Sequence, residues 1–332
     1  MNNGTSLDDS ATNKTSDTQD GHFRTKSEVF VFMALYILLS LLVIAGNTLV
    51  VVAFRKVRLR AAINLFFVSL AVSDLMVGAV SIPLWIHNLS CPYFNSCIKP
   101  NVSVRVFYRA FDVFSAMASI WNLVAISVER YLAICWPVQH RLSSFTRYYL
   151  MIFATWSYSV MITAVYSVDF NSTWKSYRGS LVFVAGFAVP LLVIIVMYSS
   201  IHRSVVNMNA HWKKANAKAS VLRKSVQREK RTATTVLIVT ALFIAAWLPF
   251  FVVSMLWMFH RSSLPVGSGF IRLMDFIKWM HYSNSAVNPI IYAYRSEEIR
   301  RMLFKLPVPV TGRRDGFPGR MQPMDGNRPR IT

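Results

Sequence analysis

Seven stretches of the chain are each long and apolar enough to cross a lipid bilayer as a helix. A bilayer core about 30 Å thick needs about 20 mostly apolar residues of α-helix. The stretches, numbered here as helices 1 to 7, are residues 29–54, 61–87, 103–136, 146–166, 180–204, 227–259 and 269–294. Their number and length predict an all-α membrane protein, a bundle of seven transmembrane helices.

The composition fits a lipid environment better than water. Hydrophobic residues make up 54% of the chain and charged residues 15%, against about 25% charged in typical soluble domains. The polar segments at the two ends then divide the 332 residues. We expect residues 1–28 to form a disordered N-terminal tail and residues 29–294 the transmembrane domain. Residues 295–332 should form a short amphipathic helix 8 (about 296–305) and a disordered basic tail.

The net charge of +21 is explained by membrane topology, so we expect no nucleic-acid partner. Most of the 36 lysines and arginines fall in the loops after helices 1, 3 and 5 and in the tail after helix 7. Basic loops of membrane proteins stay on the cytosolic side. We therefore expect a multi-pass protein of the plasma membrane with an extracellular N-terminus.

Sequons and cysteines agree with this orientation. Five N-x-S/T sequons lie on segments that the topology assigns to the outside, where glycosylation occurs, and a glycoprotein is expected. They are Asn3, Asn13, Asn88, Asn101 and Asn171. Cys91 and Cys97 lie in the predicted first extracellular loop. The oxidising compartment favours a disulfide between them, and two free thiols are the alternative.

Charged side chains within helices 2 and 3 indicate function, because each costs about 2.5–3.5 kcal/mol to insert at the centre of a membrane helix. Asp74 lies in helix 2, and Asp112 and Arg130 lie in helix 3. The two in helix 3 are five turns apart, so they share a face and are separated by about 27 Å along the axis. One helix thus carries an acid toward the outer surface and a base toward the inner surface. Two unrelated polar residues near helix ends are the alternative interpretation.

Helices 6 and 7 each combine a proline with unusual neighbours. Helix 6 contains FIAAWLPFF around Pro249, where the proline frees a backbone carbonyl and favours a hinge. Simple packing is the alternative explanation for its aromatic residues. Helix 7 contains NSAVNPIIY from Asn284 to Tyr292, and its amides and hydroxyl suggest a hydrated or ion-containing interior.

Together these motifs resemble the rhodopsin-like (class A) family of G-protein-coupled receptors over about residues 35–305. Each helix carries one motif, in the family's order: Gly46-Asn47, Leu70-Ala71 with Asp74, Glu129-Arg130-Tyr131, Trp156, Pro190 with Tyr198, Trp247-Leu248-Pro249, and Asn288-Pro289-Ile290-Ile291-Tyr292. The resemblance implies a receptor and signal transducer of the cell membrane that is not an enzyme and needs no cofactor. It also implies an extracellular ligand, a heterotrimeric G protein, arrestin and membrane lipid as partners.

The resemblance implies an activation switch at the cytosolic side of the bundle. Its residues, with those that couple to the G protein, would be Glu129, Arg130, Tyr131, Tyr198, Glu229, Asn288, Pro289 and Tyr292. In the resting state Arg130 would pair with Glu129 and Glu229. Its release would let helix 6 move outward and open a groove for the G protein.

The resemblance further implies an allosteric Na⁺ site in the middle of the bundle. The site would comprise Asp74, Ser119, Asn284, Ser285 and Asn288. Carboxylate, hydroxyl and amide oxygens suit a hard cation. A purely structural hydrogen-bonded node at Asp74 is the alternative.

Within the family, helices 3 and 6 look aminergic, which implies a biogenic amine as ligand. Asp112 stands where such receptors pair with a protonated amine, which gains from a charge-assisted hydrogen bond and from aromatic faces. The expected ligand-binding residues are Asp112, Val113, Ser115, Ala116, Val182, Phe183, Gly186, Trp247, Phe250, Phe251, Ser254, Lys278, Trp279 and Tyr282.

Lys278 departs from the aminergic pattern and leaves the ligand class open. It lies one turn before Tyr282, so it can face the same pocket, pair with Asp112 and compete with an amine. The ligand would then be a non-amine, such as an amino-acid-like molecule, a lipid or a peptide. The sequence slightly favours the other arrangement, a lysine that extends to the outer surface.

Other departures concern the outer side and the competing classes of protein. Arg105 stands where the family has a cysteine at the start of helix 3, and residues 167–179, expected to be a loop, contain none. A membrane-embedded hydrolase would need a metal or nucleophile cluster, and a transporter would usually show inverted repeats with broken helices. The sequence shows neither pattern.

Overall fold

The structure is a computed structural model that describes residues 24–56, 62–93, 102–168, 171–214, 220–260, 262, 264 and 267–295. Five of the seven helices are continuous α-helices: helix 1 is Lys26–Lys56, helix 3 Val102–Cys135, helix 4 Phe145–Ser167, helix 6 Ser220–Phe259 and helix 7 Ser268–Arg295. The other two are composite: helix 2 joins Ala62–Met76, Val77–Ser81 and Ile82–Ser90, and helix 5 joins Ser172–Phe183, Val184–Ala188 and Val189–Lys214. A short helix, Pro137–Arg141, follows helix 3. No strand occurs in these residues, and the predicted seven-helix bundle is confirmed.

Helices 1 to 6 are long and apolar enough to span a membrane, whereas helix 7 is the polar exception among the described residues. Arg272, Asp275 and Lys278 lie in its first half, and Asn284 and Asn288 in its second half. All of these except Arg272 are buried. Helix 7 therefore directs its polar face into the bundle, where protein groups replace water as partners.

The outer surface of the bundle carries large apolar side chains. Leu41 of helix 1 is 59% exposed, Phe153 of helix 4 is 70% exposed and Leu192 of helix 5 is 62% exposed. Continuous exposure of this kind would favour aggregation in water. In lipid it is the expected surface of a membrane-spanning helix.

Helices 1, 5 and 6 begin three or more residues before their predicted ranges, and helices 2 and 5 end later than predicted, at Ser90 and Lys214. Helix 1 begins at Lys26 because Thr25 and Glu28 form a capping box, in which each side chain accepts the other's backbone N–H. Helix 5 begins at Ser172, so residues 172–179 are helical rather than a loop. Asn171 caps this helix through a hydrogen bond from the Trp174 N–H at 2.7 Å. Helix 6 begins seven residues early, in a segment that contains the helix formers Leu222, Arg223 and Lys224. The predicted helix 8 and both tails, apart from residues 24–28 and Arg295, lie outside the described residues.

Two wide π-helical turns interrupt helices 2 and 5, and each turn precedes a proline. Val77–Ser81 leads to Pro83, and Val184–Ala188 leads to Pro190. Proline has no N–H, and its ring crowds the carbonyl four residues earlier, so the preceding turn widens. Beyond each turn the helix faces are rotated. Ser81 in helix 2 thereby comes within 3.2 Å of Ser115 in helix 3.

Helix 1 approaches its neighbours at two glycines. A Cβ atom on Gly78 of helix 2 would lie 2.8 Å from a methyl carbon of Val43, and one on Gly46 would lie 3.0 Å from the ring of Pro289. The Ser40 hydroxyl donates a hydrogen bond to the Gly78 carbonyl at 2.8 Å. Lipid supplies little hydrophobic drive for helix association, so close contacts of this kind stabilise the bundle.

Two ion pairs join helix 7 to the start of helix 1 and to Arg24, which precedes that helix. We call this end of the bundle the Arg24 end and the opposite end the Arg130 end. The Arg24 guanidinium donates to both carboxylate oxygens of Asp275, at 2.7 and 2.8 Å. The Tyr36 hydroxyl donates to the backbone carbonyl of Asp275 at 2.8 Å. A second pair, Arg272 with Glu28 at 2.6 Å, is more exposed.

Replacement of Arg24 by glutamine should lower the free energy of unfolding by about 3 kcal/mol, because the buried Asp275 carboxylate loses its charged partner. The measurement is thermal unfolding of the purified protein in detergent. The control is Arg272→Gln, which breaks the exposed pair with Glu28 and should cost less than about 1 kcal/mol. Equal losses in the two variants would show that the buried pair has no special role.

Candidate functional site

Asp112 lies at the centre of a polar cluster toward the Arg24 end. The Lys278 ammonium donates to Asp112 Oδ2 at 2.5 Å, and the Tyr282 hydroxyl donates to Oδ1 at 2.9 Å. The hydroxyls of Tyr282 and Tyr108 are 3.1 Å apart. Lys278 is only 8% exposed. The arrangement that the sequence slightly favoured, a lysine extending to the outer surface, is therefore wrong, because the Asp112 carboxylate draws the ammonium inward.

Four aromatic rings surround the Lys278 ammonium and form what we call the aromatic cage. The ring centroids lie 4.6 Å from Nζ for Tyr282, 5.6 Å for Trp85, 5.8 Å for Tyr108 and 5.9 Å for Phe250. A cation within about 6 Å of an aromatic face is stabilised by the ring quadrupole. The site thus already holds one ammonium beside a carboxylate.

A second aromatic group lies next to the cage and links helices 5 and 6. The Trp247 ring is 5.6 Å from Phe251 and 6.0 Å from Phe250, measured between centroids. Phe251 in turn contacts Phe187 at 4.8 Å and Phe183 at 5.6 Å. We call these five residues the Trp247 cluster. Phe250 belongs to both groups, so a change around Lys278 has a direct packing path to Trp247.

His281 joins these groups, although no sequence motif assigns it a role. Its ring centroid lies 3.6 Å from that of Trp247 and 5.0 Å from that of Tyr282. The side chain is buried, and neither its Nδ1 nor the Trp247 Nε1 has a hydrogen-bond partner among the described residues. Its place three residues after Lys278 on helix 7 is a helical spacing that could have indicated a shared face.

Two further residues of the cage were also missed by sequence reasoning. Tyr108 precedes Asp112 by four residues, so helical spacing alone could have identified it. Trp85 lies on helix 2, and nothing local in its sequence indicates contact with helix 7. Only the packing of helices 2, 3 and 7 brings it to Lys278.

The serine hydroxyls that were predicted to bind the ligand form hydrogen bonds within the bundle. The Ser115 hydroxyl donates to the Asp112 carbonyl at 3.2 Å and contacts the Ser81 hydroxyl. The Ser254 hydroxyl donates to the Phe250 carbonyl at 2.7 Å. A ligand would have to compete with these bonds.

The other predicted ligand-binding residues lie in packing contacts. Phe183 belongs to the Trp247 cluster, and Ala116 and Val182 pack with it. Val113 packs between helices 3, 4 and 5. Gly186 lies directly against Met117, with no room for a Cβ atom. Trp279 stacks on Phe276 and packs with residues of helices 1 and 2. The same apolar cluster contains Trp85 and Tyr282 of the aromatic cage.

Asp74 forms the centre of a second buried polar cluster, midway along the bundle. The hydroxyls of Ser119 and Ser285 donate to its Oδ1 at 3.2 and 2.8 Å, and the Asn288 amide donates to its Oδ2 at 2.8 Å. Asn284 is buried on the same helix. Of the five residues predicted for the Na⁺ site, the structure thus joins four by hydrogen bonds.

The Arg130 end holds a third cluster. Arg130 forms an ion pair with Glu129, whose other carboxylate oxygen lies 3.0 Å from Nε2 of His140. All three lie on helix 3 or on the short helix after it. Tyr131 and Tyr198 pack together with the apolar side chains of Ile134, Ile201 and Val205. Of the other predicted switch residues, Asn288 and Pro289 are buried in helix 7. The side chains of Glu229 and Tyr292 lie outside the described residues.

The Arg24 end carries those predicted modification sites that the structure describes. Asn88 lies near the end of helix 2, and Asn171 is exposed at the start of helix 5. Cys91 is disulfide-bonded. Its predicted partner Cys97 lies outside the described residues, as do Asn3, Asn13 and Asn101.

Comparisons with known proteins agree with the helical motifs. The family described as 7 transmembrane receptor (rhodopsin family) matches residues 46–292. The D(1A) dopamine receptor of Didelphis virginiana is 30% identical over 322 residues, covering 80% of this chain and 70% of its own. The galanin receptor type 1 of Mus musculus is 29% identical over 302 residues, covering 82% and 80%. The trace amine-associated receptor 13c of Danio rerio is 27% identical over 305 residues, covering 82% and 83%.

These relatives are receptors rather than enzymes. The family match extends over most of the helical bundle, from the helix 1 motif to the helix 7 motif. With six helices that satisfy the length and hydropathy of a membrane span, and a seventh packed among them, the chain is a multi-pass membrane protein. It belongs to the rhodopsin-like family of G-protein-coupled receptors.

Proposed function

We propose that this receptor binds a protonated biogenic amine at Asp112 and signals to a heterotrimeric G protein. The observation that carries the proposal is the Asp112 carboxylate, held against an ammonium inside four aromatic rings. Such a site stabilises a cation by a charge-assisted hydrogen bond and by aromatic faces. Two of the relatives are named for dopamine and trace amines.

In this proposal the Arg24 end faces the outside of the plasma membrane. In the sequence, the basic loops and tail follow helices 1, 3, 5 and 7. The positive-inside rule assigns such segments to the cytosolic side. Glycosylation at the five sequons and a disulfide between Cys91 and Cys97 belong to the same orientation. Residues 1–28 would then form the extracellular tail and residues 295–332 the cytosolic helix 8 and tail.

Transmission runs from the pocket to the Arg130 end through helix 6. A ligand at Asp112 changes the contacts of Phe250. Phe250 packs on Trp247, which lies about one turn away on the same helix. Pro249 lies between these two residues and provides a hinge. Release of Arg130 would let helix 6 move outward and open a groove for the G protein and for arrestin, while the outer faces of the helices contact membrane lipid.

An allosteric Na⁺ at Asp74 completes the proposal. The possible ligands around Asp74 are all oxygen atoms, from a carboxylate, two hydroxyls and amide carbonyls. A hard cation prefers such ligands. The carboxylate lies fully inside the bundle and has hydrogen bonds but no cationic side chain among its described partners, so a bound cation would neutralise it.

A second candidate is a receptor for a non-amine ligand, such as an amino-acid-like molecule, a lipid or a peptide. The observation in its favour is that the Lys278 ammonium already binds the Asp112 carboxylate. A relative of similar identity is named for galanin rather than for an amine.

Asp112→Asn should lower the potency of activating amines by about 10- to 100-fold, the range that one charge-assisted hydrogen bond supplies. The measurement is G-protein activation in cells exposed to a panel of biogenic amines, normalised to surface labelling. Glu28→Gln, which removes an acid at the same end but outside the pocket, is the control. An amine response that is unchanged in Asp112→Asn would contradict the amine assignment.

Asp74→Asn should abolish stabilisation of the receptor by sodium. At a Na⁺ concentration ten times its dissociation constant, binding adds about 1.4 kcal/mol to the free energy of unfolding. The test compares thermal unfolding in sodium chloride and in choline chloride at equal ionic strength. The control is Ser159→Ala, whose buried hydroxyl donates to the Thr155 carbonyl of its own helix. A sodium effect that persists in Asp74→Asn would exclude this site.

A further inference from the structure

We infer that the ligand carries a carboxylate next to its ammonium, as an α-amino acid does, with the ammonium bound at Asp112 and the carboxylate bound at Lys278. The inference rests on the proposed function, because it keeps the ligand ammonium at Asp112. It narrows the ligand class from amines in general to amines with a neighbouring acidic group. The juxtaposition that carries it is the partly buried contact of 2.5 Å between Lys278 Nζ and Asp112 Oδ2.

A simple amine meets an electrostatic conflict in this pocket. To reach Asp112 it must displace the Lys278 ammonium, because that group already occupies one carboxylate oxygen and the aromatic cage. Two ammonium groups would then share one carboxylate in a site that excludes most water. Like charges repel strongly at low dielectric, and a buried cation without a partner is unfavourable.

Among the described residues, Lys278 has no second acidic side chain available as an ion-pair partner. Asp275 lies one turn earlier on helix 7, but both of its carboxylate oxygens accept hydrogen bonds from Arg24. Glu28 pairs with Arg272 in a more exposed position. The next turn of helix 7 offers His281, which is basic. A displaced Lys278 therefore needs an acid that arrives with the ligand.

A ligand with both charges removes the conflict. Its ammonium replaces Lys278 at Asp112, and its carboxylate binds the freed lysine, so charges of opposite sign alternate and the net charge of the site is unchanged. Because the two protein groups are in direct contact, the two ligand charges must also be close together. One intervening carbon, as in an α-amino acid, meets this requirement better than a long spacer.

The surroundings indicate an aromatic side chain on this ligand. Phe250 lies 5.9 Å from the Lys278 ammonium and 6.0 Å from the Trp247 ring, between ring centroids in the second case. A ring extending from the charged centre toward Trp247 would find stacking partners at each step. Such contacts would also connect the ligand directly to helix 6.

The experiment compares three probes that differ only in their charges: phenylalanine, phenethylamine and 3-phenylpropanoate. The equivalent sets built on tyrosine and tryptophan are tested in parallel. Binding is measured on the purified full-length receptor by ligand-induced thermal stabilisation, and activation by G-protein nucleotide exchange. In at least one set the amino acid should bind about 10- to 100-fold more tightly than its amine, and the acid alone should bind most weakly.

Variants of Lys278 then test the role of the lysine. Lys278→Met, which keeps length but removes charge, should weaken the amino acid by about 10- to 100-fold and strengthen the amine by about 10-fold, which reverses the preference. Lys278→Arg should retain the preference of the wild type. Arg272→Met removes a basic side chain of the same helix outside the pocket and should leave the preference unchanged.

The outcomes separate the inference from the proposed function. If the wild type prefers the amine in every set and Lys278→Met keeps that order, the inference is overturned while an amine receptor still stands. If no probe in any set, the amines included, binds either the wild type or Lys278→Met, both the inference and the amine assignment fail. The ranking in the wild type decides the first question even if the methionine variant does not fold.

Discussion

The ion pair between Asp112 and Lys278 joins helices 3 and 7 in a part of the bundle that is largely shielded from solvent, where the two side chains are 15% and 11% exposed. Either residue alone would be costly there, and together they are stable only because hydroxyls and aromatic faces complete their surroundings. Tyr282 supplies a hydrogen bond and a ring, and Tyr108 bonds to Tyr282 in turn. The shape of the pocket follows from these requirements.

The same rule of internal satisfaction governs the other acids of the bundle. Asp275 is bound by Arg24, Asp74 by two hydroxyls and an amide, and Glu129 by Arg130 and His140. Each of these clusters draws partners from a different set of helices. A buried polar group in a membrane protein must find its partner within the protein, so the clusters also determine which helices pack together.

The clusters differ in the kind of partner, and this difference separates their roles. Asp275 and Glu129 have basic partners that neutralise them directly. Asp74 has neutral partners among the described residues, which leaves its charge available to a cation. Asp112 has a basic partner that sits in the aromatic cage, where a ligand ammonium would also bind. The Trp247 cluster and the aromatic cage are in contact because Phe250 belongs to both. The buried His281 of helix 7 contacts Trp247 and Phe250 of helix 6.

Much of this architecture is local information and could be predicted from the sequence. Apolar runs determine the helices, and five turns of helix 3 determine that Asp112 and Arg130 share a face. The boundaries were less well predicted because caps act locally but were not recognised: Thr25 with Glu28, and Asn171, start two helices earlier than apolarity indicates. The prolines are evident from the sequence, whereas the wide turns before Pro83 and Pro190 depend on how each helix relieves the contact between the proline ring and the preceding carbonyl.

The environment of the Lys278 side chain, in contrast, is not predicted correctly from the sequence. Sequence spacing gives the direction of a side chain from its own helix but not the partner that another helix presents. Only the packing of helices 2, 3, 6 and 7 brings Asp112 and the four aromatic rings to the Lys278 ammonium.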